Sequence, residues 1–133
     1  MQIVQPIDIE LALCQDVSEY TEATCYTSPA PDALPNLSVC FMSVGGTEQT
    51  PVSSEYSVRC DVWAKTYAQA LTLSRSIAGI VASLPMRAPT SGRTYSTVEI
   101  NATPYENPDP LRAQLPRVSF RAEIGVRGES IDL

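Results

Sequence analysis

Residues 117–127, RVSFRAEIGVR, alternate without a break. Val118, Phe120, Ala122, Ile124 and Val126 share one parity, and Ser119, Arg121, Glu123, Gly125 and Arg127 share the other. Successive side chains of a strand point to opposite faces, so this segment predicts a strand with one face on a core and one polar face. Such a strand belongs to an antiparallel sheet covered on one side. The remaining residues must then supply neighbouring strands and an apolar cover.

Residues 5–19 predict a helix. Pro6 suits its first position, Asp8 and Glu10 suit the positive end of its dipole, and Ile9, Ala12, Leu13, Val17 and Tyr20 share a face. Residues 23–27 predict a short strand, followed by a stretch that Pro29, Pro31 and Pro35 keep irregular. A further strand is expected over 37–44, ending in a turn at Gly45-Gly46, with 45–54 as an exposed loop. In the next strand, 55–66, Val58, Cys60, Val62 and Ala64 oppose Ser57, Arg59, Asp61 and Trp63. Residues 67–84 predict the main helix, with Thr66 as N-cap and Pro85 as its end. Its apolar stripe is Ala68, Leu71, Ile77, Ala78, Val81 and Leu84, interrupted by Ser74. A flexible connection over 85–94 leads to a strand over 95–103, and Pro104 to Pro116 carry turn chemistry around YENPDP. Residues 128–133 are expected to fray unless a partner holds them. The order α-β-β-β-α-β-β predicts a single α+β domain over 1–133, a mainly antiparallel sheet packed against helices.

Fifteen acids against nine bases give a net charge of -6, which argues against a nucleic-acid reader with a basic face. Residues 1–66 hold nine of the acids and two bases, and residues 67–133 hold six acids and seven arginines. This asymmetry is read first as a solvated acidic helix, and it is also compatible with a subunit whose surfaces are polarised to meet copies of itself. No apolar run approaches the ~18 residues of a membrane span. No basic segment followed by an apolar one marks a leader, so assembly in the cytoplasm is expected. The four cysteines are scattered, and histidine is absent. They are best read as buried, reduced small hydrophobes rather than a zinc site.

The chemistry of catalysis finds little to work with. Ser/His and Cys/His pairs are excluded without histidine, and no SxxK precedes the single lysine, Lys65. Asp61, Glu99 and Glu123 lie on strands, where alternation with apolar neighbours predicts that they face water. Gly45-Gly46 matches neither phosphate-loop pattern. No cofactor and no metal is expected. Arg59, Arg121 and Arg127, with Asp61 and Glu123, lie on the polar faces of two strands. They are candidates for cross-strand pairing, or for a contact between subunits. Trp63 and Tyr67 flank a strand–helix junction and are expected to pack.

Taken together, the acidic first helix, the strand VRCDVWAKT running into YAQALTLSRSIAGIVASL, the YENPDP turn and the final LPRVSFRAEIGVRG strand form a recognisable pattern. It resembles the tail terminator, or tail completion, proteins of long-tailed bacteriophages over residues 6–128. Pro108, Asp109, Pro110, Pro116 and Arg117 carry its most telling segment. The resemblance implies a non-enzymatic subunit that closes into a ring, typically a hexamer. The ring would cap the head-proximal end of the tail tube, stop tube polymerisation and join the head connector. The implied partners are further copies of the chain, the tube protein and the connector proteins. DNA would only pass through the lumen, and no membrane is involved. Subunit contacts are expected at Arg59, Asp61, Trp63, Arg117, Arg121, Glu123 and Arg127. Neighbour or lumen contacts are expected in the loops holding Thr47, Glu48, Arg87 and Arg93. A tube or connector subunit is the alternative with the same ring logic; a ligand-binding or acid-using α+β module is the alternative from another class.

Overall fold

The computed structural model describes all residues, Met1–Leu133. At its centre is the strand that the alternation predicts. β6, Arg117–Arg127, buries Val118, Phe120, Ala122, Ile124 and Val126. It lies between β4 (Ser53–Trp63) and β5 (Tyr95–Glu106) and pairs antiparallel with both. β4 pairs on its other side with β3 (Ser38–Thr50), and β3 pairs with β2 (Thr24–Thr27), the one parallel neighbour. The sheet order is β2-β3-β4-β6-β5. Two helices, α1 (Ile9–Ser18) and α2 (Tyr67–Ser83), cover its apolar face, so the chain is an α+β protein.

The core sits between the helices and this face. Leu13 and Val17 of α1, Ile77 and Val81 of α2, and Phe41, Val62, Phe120 and Ile124 of the sheet are fully buried within it. Thr66 caps α2 as predicted, its hydroxyl accepting from the Gln69 amide at 3.2 Å. Ile77, Ala78, Val81 and Leu84 are buried as expected, with Ser74 among them; only the first turn of α2 differs, where Ala70 packs with Ala64 and Val118 at the end of the sheet and Ala68 is exposed. None of the helices is long and apolar enough to cross a membrane.

Several boundaries differ from the sequence reading. Residues 2–5 are a strand, β1 (Gln2–Gln5), and α1 starts only after Asp8, whose carboxylate caps it through the Leu11 amide. Residues 129–132 are not frayed: β7 (Glu129–Asp132) pairs antiparallel with β1 in a separate two-stranded ribbon. Gly45-Gly46 is a bulge within β3 rather than a turn, with Gly45 at φ +111°, a conformation that favours glycine. The expected 45–54 loop is therefore mostly strand, although exposed, and the reversal lies at Pro51 and Val52. β5 runs on through Pro104, which an edge strand with a register shift tolerates.

The 85–94 connection is anchored to α1 rather than loose. Glu19 accepts from the amide and hydroxyl of Thr90, the Arg87 guanidinium lies 4.5 Å from the centre of the Tyr20 ring, and buried Asp16 accepts from the Tyr95 hydroxyl with Arg93 Nη1 3.6 Å away. Burial and the neighbouring Asp16 carboxylate hold the Tyr95 phenol protonated, far above its ordinary range. Glu10 does more than complement the helix dipole: its two oxygens accept from Ser28 and from the Ser43 amide, fixing β3 and the loop after β2 to α1.

Candidate functional site

The face of the sheet turned away from the helices carries most of the predicted site residues. Its strands set them in rows: Trp63 opposite Arg117, Asp61 opposite Ser119, Arg59 opposite Arg121, and Ser57 opposite Glu123. The rows divide into a covered end and an open end.

The covered end lies under the segment after β5. Asp61 and Trp63 are each only 2% exposed, so the expectation that Asp61 faces water is corrected: the polar face of β4 is covered here by residues 107–116. Asp61 accepts from Arg59 at 2.9 Å and from the Ser119 hydroxyl at 2.6 Å, with Arg117 3.9 Å away. Arg117 also donates to the carbonyls of Asn107 and Pro108, and Asn107 donates to Ser119. The indole N–H of Trp63 donates to Asp109 at 3.1 Å, and Arg112 donates to the same carboxylate oxygen at 2.8 Å. Arg112 then reaches the carbonyls of Ala30, Pro31 and Asp32, which ties the proline-rich loop to the YENPDP segment. Arg112 and Arg117 stand 5.5 and 6.0 Å from the centre of the Trp63 ring.

Burial raises the Asp109 carboxyl, but hydrogen bonds from Arg112, the Leu111 amide and Trp63 outweigh it, and the group titrates below its ordinary value. Burial, reinforced by the Asp61 charge, holds the Cys40 thiol up at about 11, and burial with nearby Cys25 raises Cys14 to about 12. The four cysteines are free thiols, and Cys14, Cys40 and Cys60 are buried. With both Asp61 oxygens engaged as acceptors, this end holds two loops on the sheet and offers Asp61 and Trp63 to no neighbour.

The open end is different. Arg121 is exposed and sits opposite Arg59, a like-charge row that Asp61 relieves on one side only. Arg121 takes part in none of the chain's ion pairs. Glu123 accepts from Ser57 at 2.6 Å and Asn101 at 3.0 Å and lies opposite Glu99. Arg127 is exposed at the end of β6, Thr47 and Glu48 are exposed on the outer half of β3, and Arg87 is exposed beside Tyr20. Arg93 is partly buried against Asp16. The structure thus gathers Arg59, Asp61, Trp63 and Arg117 into one internal network, leaves Arg121 and Glu123 on an open surface, and places the remaining five, Thr47, Glu48, Arg87, Arg93 and Arg127, elsewhere.

Asp109 and Arg112 were missed as network members. A buried tryptophan usually finds an acceptor for its N–H, which is a signal in the sequence that some polar group meets Trp63, though not which one. No protein-family model matches the chain, and no curated protein matches it.

Proposed function

We propose that the chain is a structural subunit of a long-tailed bacteriophage that forms a ring on the head-proximal end of the tail tube, ends tube growth and presents a surface to the head connector. The observation that carries this reading is the pair of unlike sheet edges. β2 covers β3 only along Ser38–Phe41, which leaves the outer half of β3 with a free edge, and β5 is free along its whole length. A contact between unlike edges of successive copies is heterologous and closes into a ring when the rotation allows. Register shifts on both edges, and Pro104 on β5, keep such pairing short and selective. Arg121 and Arg127 supply exposed cations without internal partners. An acidic lumen, if the ring has one, would let DNA pass by like-charge repulsion.

In this reading the protein resides in the virion neck, its partners are its own copies, the tube protein and the connector, and the ring is a hexamer. Native mass spectrometry across a concentration series tests it. A ring, or a concentration-dependent equilibrium between ring and monomer, is expected. A strict monomer at high concentration that carries a small ligand contradicts it.

A further inference from the structure

We propose that the outward face of the β1–β7 ribbon docks in a shallow groove on α2 of a second copy of the chain, a contact that rests on the ring reading above and names one of its joints. Side chains alternate along each strand of the ribbon. Val4 and Ser130 line the cleft between the ribbon and its own domain. Met1, Ile3, Ile131 and Leu133 have the opposite parity, and Ile3 lies directly across from Ile131. The ribbon therefore turns an apolar side away from its domain, with Met1 77% and Leu133 70% exposed. Two strands of four residues are marginal alone, and an outward apolar side on such a ribbon marks a contact surface.

The groove has a volume of about 470 Å³ and is lined by Leu37, Ala68, Thr72 and Leu73, with Gln69 and Ser76. Charge selects the ribbon as its occupant. The one charged residue of α2 is the exposed Arg75, and exposed Lys65 lies just before the helix. Neither belongs to an ion pair. The charged side chains of the ribbon are both acids, Glu129 and Asp132. Asp132 holds the Met1 amino group, whereas Glu129 accepts from neutral Gln5 and shares the parity of Ile131. An apolar strip edged by an acid thus meets an apolar groove edged by cations.

The two surfaces lie at opposite ends of the sheet. Leu37 precedes Ser38, which pairs with Trp63, and Trp63 pairs with Arg117 at the start of β6; the ribbon follows Arg127 at its end. About 30 Å of strand separates them, so a chain cannot fill its own groove. Unlike surfaces at opposite ends join successive copies head to tail.

The test follows self-association of the full chain by analytical ultracentrifugation. Arg75→Glu and Glu129→Lys should each weaken association on the order of tenfold, and the double variant should recover it. Thr72→Glu sets an acid in the groove from an exposed helix position, and Ile131→Asp spoils the apolar side of the ribbon. Each of these two variants alone should fail to assemble. Their equimolar mixture should form one-to-one pairs, because each pair holds one intact ribbon and one intact groove. The contact is overturned if the single variants assemble as the parent does, if the double variant stays weak, or if the mixture does not pair. Rings from the parent and from all variants alike keep the ring and overturn this contact. Pairs from the mixture without rings from the parent keep the contact and count against the ring.

Discussion

Trp63 is the only tryptophan in the chain, and its N–H has one acceptor, Asp109, 46 residues away. Asp109→Asn weakens that acceptor and removes the charge that Arg112 pairs with, at an expected cost of about 1–3 kcal/mol. Urea unfolding followed by Trp63 fluorescence measures it. The pH dependence follows from the direction of the shift. Because the folded state lowers the Asp109 pKa, its contribution to stability is complete above the unfolded value of roughly 4. It is lost as pH falls through the folded value, and the difference between parent and Asp109→Asn should shrink on acidification below about pH 4. The periodicity of β4 assigned Asp61 and Trp63 to the polar parity correctly. It could not show that a loop from a distant part of the chain covers that parity, because alternation specifies a face and not what lies over it.

The elements read best where burial imposes a strict period. All five apolar positions of β6 are in the core, and Phe120→Ala should cost about 3–5 kcal/mol, measured by chemical denaturation. Thr66→Ala removes the cap of α2 and should cost about 1 kcal/mol in the same experiment. The terminal ribbon was not legible, since Gln2–Gln5 and Glu129–Asp132 are each four residues long and pair with the opposite end of the chain. Its junction depends on Gly128, where a Cβ would stand 2.5 Å from the Gln5 carbonyl oxygen. Gly128→Ala should loosen the ribbon while the five-stranded sheet persists. Hydrogen exchange should show faster exchange at residues 2–5 and 129–132 and unchanged protection in β6. The glycine pair in β3 misled the sequence reading because a bulge and a turn use the same residue for the same backbone freedom.

At the scale of the molecule, four of the arginines are spent internally: Arg59 and Arg117 on Asp61, Arg93 on Asp16, and Arg112 on Asp109. Three of these, Arg93, Arg112 and Arg117, belong to the seven arginines of the second half, so internal pairing accounts for part of the charge asymmetry, while Arg75, Arg87, Arg121 and Arg127 are exposed. Arg121 and Arg127 remain outside these pairs. Converting both to Glu should leave the unfolding midpoint nearly unchanged and impair ring formation, which sedimentation would detect. The central claim is that a ring of this chain ends the tail tube, and electron microscopy of tails assembled without the protein tests it most directly. The account predicts overlong tubes of variable length. Tails of normal length, or no tails at all, would contradict it.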